Sequence, residues 1–99
     1  MKTRNDILSY LTANKTMLLK KYSLASIGIF GSVARNENKE NSDLDILILF
    51  NENTSNIISK KAALKNQLST ELNIRVDICS EKYIKPFFKE NILKEAIYV

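Results

Sequence analysis

The chain has no histidine and no tryptophan, and only one cysteine, one proline and two glycines among its 99 residues. Without histidine there is no imidazole base near neutral pH and the commonest zinc ligand is missing, so any metal should be held by oxygen. With Cys79 alone, an internal disulfide framework is excluded, and the thiol reads most simply as a small buried hydrophobe. So little glycine and proline leaves few breaks, and regular structure should dominate over disorder. No apolar run approaches the length that spans a bilayer, and Met1-Lys2-Thr3-Arg4-Asn5-Asp6 lacks the apolar stretch of a signal peptide. The expected location is the cytoplasm.

Lysine and arginine number 15 against 11 acidic residues, a net charge of +4. The lysines are scattered, with pairs at Lys20-Lys21 and Lys60-Lys61 and no long basic block. Solvated helix faces explain them better than a nucleic-acid groove, which would cluster charge among aromatics. The length suits one domain over residues 1–99 with no room for a separate substrate-recognition module. An acceptor would bind in the open or be presented by another chain.

Hydrophobic spacing predicts two short amino-terminal helices, one with Ile7, Leu8 and Leu11 behind Thr3 or Asn5, the other capped by Asn14 and carrying Met17, Leu18 and Tyr22. Ser26 to Phe30 is a β-branched, aromatic run that stops at Gly31 and reads as a buried strand feeding a tight turn. Ser32 to Arg35 starts a short helix, and Asn36 to Asn41 forms an exposed loop. Leu44 to Phe50 is the strongest strand; apolar on both faces beyond Asp45, it belongs at the centre of the sheet. Ile57, Leu64, Leu68 and Leu72 line one face of an amphipathic helix that Asn73 ends. Ile74 to Cys79 alternates as a strand with Arg75, Asp77 and Cys79 on its polar face. Pro86 opens a helix through Phe87, Phe88 and Ile92, and Ala96 to Tyr98 forms an edge strand. Phe87, Phe88 and Tyr83 divide between core and a partner-docking patch.

The chemistry gathers around Gly31-Ser32 and Ser42-Asp43-Leu44-Asp45. Residues two apart in a strand share a face about 7 Å apart along the backbone, so Asp43 and Asp45 project together. If the strand of Asp77 is a neighbour, three carboxylates meet. Two carboxylates a few ångströms apart repel by roughly 3 to 4 kcal/mol at an effective dielectric of about 20, which a divalent cation relieves. Oxygen ligands alone select Mg²⁺ or Mn²⁺ over Zn²⁺. The strand-Gly31-Ser32-helix element supplies backbone N–H groups for an anion, placing a triphosphate between turn and metal. Gly-Ser after a strand is, taken alone, more often a plain turn, and Asp77 alone is as readily a solvated strand residue. Asp45 is harder to dismiss, because it interrupts an apolar central strand where an unpaired carboxylate is costly. Arg35 is read equally well as a phosphate contact or as an exposed helix arginine.

Gly31-Ser32-Val33-Ala34-Arg35, Ser42-Asp43-Leu44-Asp45 and Val76-Asp77-Ile78 resemble the nucleotidyltransferase superfamily that includes DNA polymerase beta. The likeness extends to Glu95-Ala96-Ile97-Tyr98 and is greatest to the minimal nucleotidyltransferase (MNT) domains, such as the MntA-type antitoxins paired with a helical HEPN ribonuclease toxin. It implies an α/β fold with a small mixed central sheet flanked by helices. It also implies that Gly31 and Ser32 hold the β- and γ-phosphates of ATP and that Asp43 and Asp45 bind two Mg²⁺ ions. Asp77 would share one metal and help to deprotonate the acceptor, with AMP passing to a tyrosine of the HEPN partner. Asn36 departs from the family's usual glycine; asparagine tolerates a left-handed backbone, so the turn should survive. Two other functions are compatible with the chain: a non-catalytic antitoxin that masks its partner by binding, and nucleotidyl transfer to a small molecule such as an aminoglycoside, against which the missing substrate domain argues.

Overall fold

The computed structural model describes residues 2–99. A single helix, α1 (Arg4–Tyr22), replaces the two short ones expected. Thr3 caps it reciprocally: its hydroxyl accepts the Asp6 N–H at 3.1 Å while the Asp6 carboxylate accepts the Thr3 N–H at 2.9 Å. Asn14 does not cap a second helix. Its side-chain amide donates to the Tyr10 carbonyl at 2.9 Å, one turn back, so its polar group is satisfied without a break. Ile7, Leu11, Leu18 and Tyr22 form the buried stripe, and Ser23 ends the helix in the left-handed conformation.

Four strands follow: β1 (Leu24–Phe30), β2 (Leu44–Phe50), β3 (Val76–Ser80) and β4 (Ile97–Tyr98). They form one mixed sheet in the order β3-β2-β1-β4, with β2 and β3 parallel and the other pairs antiparallel. Parallel neighbours need a crossover, here α3 (Ile57–Leu72), which presents Leu64, Leu68 and Leu72 to the core and stops at left-handed Asn73. β3 begins two residues later than the alternation suggests, because the Ile74 N–H bonds the Ser69 carbonyl at the end of α3.

One sheet face carries Ile27 and Ile29 of β1, Leu44, Ile46 and Ile48 of β2 and Val76 of β3, which join the buried residues of α1 and α3 in one core. The alternate residues Asp45 and Leu47 of β2 and Asp77 of β3 turn to the opposite face. Leu47 is fully buried there, so β2 is covered on both faces beyond Asp45, as a central strand should be. The short helix α2 (Gly31–Ala34) follows β1 directly, and α4 (Pro86–Glu95), opened by Pro86, packs against β1 and α2. Phe87 and Phe88 stack edge to face, with their ring centroids 5.1 Å apart, on the exposed side of α4. Tyr83, in a short turn of helix over Glu81–Tyr83 that the sequence did not announce, is exposed as well. None of the three joins the core. No helix among the described residues is long and apolar enough to cross a membrane.

β4 lies tightly against β1 at Gly28, where an added Cβ would stand 2.6 Å from the Ile97 carbonyl oxygen and 3.0 Å from the Tyr98 Cα. Gly28→Ala must push this edge strand away. A loss of about 1 to 3 kcal/mol is expected, to be measured by urea unfolding; a midpoint equal to that of the unsubstituted protein would show that β4 yields freely.

Candidate active site

The site is built where β1 ends. Gly31 takes φ +74°, a left-handed conformation natural to glycine, and turns the chain directly into α2. The turn is reinforced by the Arg35 N–H to the Gly31 carbonyl at 3.0 Å, the Asn36 N–H to the Val33 carbonyl at 3.0 Å and the Glu37 N–H to the Ser32 carbonyl at 2.8 Å. Asn36 adopts φ +60°, so asparagine performs the left-handed turn expected of it in place of glycine. The loop that follows closes through Ser42, whose hydroxyl accepts the Lys39 N–H at 2.9 Å, and delivers Asp43 to the start of β2.

Phe30 pairs with Asp45 across β1 and β2, which brings the turn and the second carboxylate together. The two touch: a Cβ on Gly31 would collide with Asp45 Oδ2. In the parallel ladder Asp45 pairs with Asp77 and Leu44 with Val76, so Asp77 sits beside Asp45 on the same face. The three carboxylates named from the sequence therefore belong to one patch, flanked by Gly31 and Ser32.

The electrostatics fit that crowding. Burial pushes the Asp45 carboxyl up to about 6, and the charges of Asp77 and then Asp43 push in the same direction. Asp43 Oδ1 lies 3.0 Å from Arg75 Nε, yet it is a buried oxygen with no hydrogen-bond partner. The distance is that of an ion pair while the alignment is not that of a hydrogen bond. With the Arg75 side chain 77% exposed, the pair contributes little. As the side chains stand, no three acidic, cysteine or histidine groups among the described residues are gathered at metal-holding distance. A half-buried carboxylate with two anionic neighbours, beside an orphaned carboxylate oxygen, is nevertheless a set of hard oxygen donors suited to a divalent cation. Burial likewise pushes the Cys79 thiol up, and it lies near enough to Asp45 to feel its charge.

Two residues here escaped sequence reasoning. Arg75 binds Asp43 and donates from Nη2 to the Asn41 carbonyl at 3.0 Å, holding the loop to the start of β3. Its position two residues before Asp77 was the available signal, since the register that sets Asp77 beside Asp45 also sets Arg75 beside Asp43. Glu95, at the end of α4, accepts the Gly31 N–H at 2.9 Å through Oε1 and Arg35 Nη1 at 2.9 Å through Oε2. The family likeness reaches Glu95-Ala96-Ile97-Tyr98 but gives Glu95 no role, and no local pattern joins it to Gly31 across 64 residues.

Comparison with known proteins agrees with this geometry. A family model described as a nucleotidyltransferase domain matches residues 13–99. A candidate protein adenylyltransferase of Methanocaldococcus jannaschii is 43% identical over the whole of both chains. The protein adenylyltransferase MntA of Thermococcus cleftensis is 38% identical over all of this chain and 98% of its own. Among solved structures, a candidate minimal nucleotidyltransferase superposes with a TM-score of 0.81 at 34% identity, covering 97% of this chain and 95% of that one. A Shewanella oneidensis complex of an MNT antitoxin with a tri-AMPylated HEPN toxin shares the fold at a TM-score of 0.60 and 23% identity, over 90% of this chain and 69% of that one. With a strand-to-helix turn lying against one carboxylate of a three-carboxylate patch, in a mixed sheet that superposes on those relatives, this chain belongs to the nucleotidyltransferase domain family.

Proposed function

We propose that residues 1–99 act as one domain that transfers AMP from ATP to a tyrosine hydroxyl of a HEPN-type toxin, and so serve as that toxin's antitoxin. The observation that carries the reading is the contact between the Gly31 turn and Asp45, with Asp77 in register beside it. One anion-binding element and one carboxylate patch then face the same space. The relatives named as protein adenylyltransferases, matched over their full length, favour AMP as the transferred group and a protein as acceptor. The AMPylated HEPN toxin of the Shewanella oneidensis complex supplies the partner's type.

In this reading Gly31, Ser32 and Arg35 hold the β- and γ-phosphates, and Asp43, Asp45 and Asp77 hold Mg²⁺, two ions in all, or Mn²⁺. The bound metal supplies charge neutralisation at the transferring phosphoryl group. Asp77, exposed on the edge strand β3, accepts the proton of the acceptor hydroxyl. The acceptor oxygen bonds to the α-phosphorus as the bond from that phosphorus to the bridging oxygen breaks, and pyrophosphate leaves. ATP supply and a lone thiol suit the cytoplasm.

Intact mass of a HEPN partner after incubation with the chain and MgATP tests this directly. The unsubstituted protein should add AMP units, and Asp43→Asn should slow the addition at least about a hundredfold. Equal rates would remove Asp43 from the metal site. Neutralisation of the toxin without any mass gain would instead establish the masking function.

A further inference from the structure

Glu95 sits at the junction of three parts of the molecule. It ends α4, its Oε1 accepts the Gly31 N–H at the turn, and its Oε2 accepts Arg35 Nη1 at the end of α2. Its side chain is 26% exposed against 45% for Arg35, so the carboxylate is the more fixed of the two groups. Arg35 has a second partner, Glu37, 3.3 Å from Nε, but Glu37 is only two residues away and belongs to the same exposed turn. Glu95 alone ties the guanidinium to a different element. A two-point carboxylate, one oxygen on a backbone N–H and the other on a guanidinium, fixes both the turn and the direction of the arginine fork.

We propose that Glu95 is a positioning residue for nucleotide binding, holding the Gly31 turn and aiming the Arg35 guanidinium at the triphosphate. The assignment rests on the nucleotidyl-transfer reading above and adds to it a residue from the opposite end of the chain. Glu95 need not touch the nucleotide. It acts through Arg35, whose long side chain would otherwise sample many rotamers before meeting a phosphate. The opposite role is also chemically coherent: a resident carboxylate that occupies the donors and competes with phosphate. The two roles differ in the sign of their effect on affinity.

The test is equilibrium binding of the Mg²⁺ complex of AMP-PNP, a non-transferable ATP analogue, to the unsubstituted protein, Glu95→Gln, Arg35→Gln and the double variant. Glu95→Gln keeps the shape and an oxygen for the Gly31 N–H but loses the negative charge that pairs with Arg35. It should weaken binding about tenfold while leaving the melting temperature within about a degree or two. The double variant should bind no more weakly than Arg35→Gln alone, the non-additivity of a residue acting through another. In transfer assays the loss should fall on the KM for ATP, with kcat nearly unchanged. Unchanged or tighter binding by Glu95→Gln overturns the proposal, the second outcome marking Glu95 as a competitor. Strict additivity also overturns it, since Glu95 would then act independently of Arg35. Failure of the unsubstituted protein itself to bind the analogue overturns the nucleotide reading and the role of Glu95 with it; binding there, with no effect of Glu95→Gln, overturns only the latter.

Discussion

Asp45→Asn should reduce AMP transfer by about a thousandfold and, in the same molecule, raise the melting temperature of the metal-free protein at pH 7. The two effects have one cause. Asp45 is half-buried between Asp43 and Asp77, and its carboxyl is pushed from an ordinary 3.8 to about 6, burial first and the neighbouring charges after it. A carboxyl whose folded pKa lies above its unfolded one holds its proton longer in the folded state. Stability therefore falls as pH rises from about 4 to about 6, and the full penalty remains at neutrality. Asparagine has no charge to desolvate and keeps the shape. The gain is on the order of 1 kcal/mol once solvent screening of a half-exposed group is allowed for, or a few degrees in a domain of this size. The advantage should shrink as pH falls through 6 and vanish only well below the ordinary 3.8, at about pH 3, where Asp45 is protonated in both states. Mg²⁺ at pH 7 should raise the melting temperature of the unsubstituted protein and have much less effect on the variant. Thermal melts over a pH series, with and without Mg²⁺, check all of this. Identical melting at pH 7, with the same response to Mg²⁺, would remove Asp45 from the metal site.

Gly31→Ala should be the most damaging single methyl group in the chain. Gly31 has φ +74°, where a Cβ costs about 1 to 2 kcal/mol, and that Cβ would also run into Asp45 Oδ2. Either the turn opens or the Asp45 carboxylate swings away, and in both cases the Gly31 turn and the carboxylate separate. A stability loss of about 2 to 3 kcal/mol should accompany a fall in transfer of at least about a hundredfold. The contrast with Gly28→Ala is diagnostic, because the nearest atoms to a Cβ at Gly28 belong to the backbone of β4. Assayed well below their melting transitions, Gly28→Ala should keep most of its transfer activity and Gly31→Ala should not. Equal residual activities would mean that the turn contributes stability alone.

What was legible in the sequence follows from how local each cause is. β2 was readable to its last residue, since an apolar run bounded by Ser42-Asp43 and Asn51 has few alternatives. Pro86 announced α4 and Asn73 the end of α3 by backbone preferences that do not depend on the remainder of the chain. Asn14 misled because a short polar side chain serves as well inside a helix as at its start, and only its bond to the Tyr10 carbonyl decides between them. Asp43, Asp45 and Asp77 were legible because period-two spacing sets a face, although that β3 neighbours β2 had to come from the structure. Glu95 was chemically invisible as a lone acid on an amphipathic helix, since its partners Gly31 and Arg35 lie 64 and 60 residues away.

The parallel pairing of β2 with β3 makes the site a question of parity. Asp45 shares a face with Asp77 because the two are register partners, as are Leu47 and Cys79 two steps further on. The connection between the strands runs through α3, and the loops at its two ends tolerate changes in length at little cost. The ladder does not: one residue added or removed at the start of β3 would exchange its two faces, carrying Asp77 toward the core and Val76 toward the carboxylate patch. Descendants of such a chain are thus free to lengthen or shorten the loops on either side of α3, while the odd-even count within the strand is held.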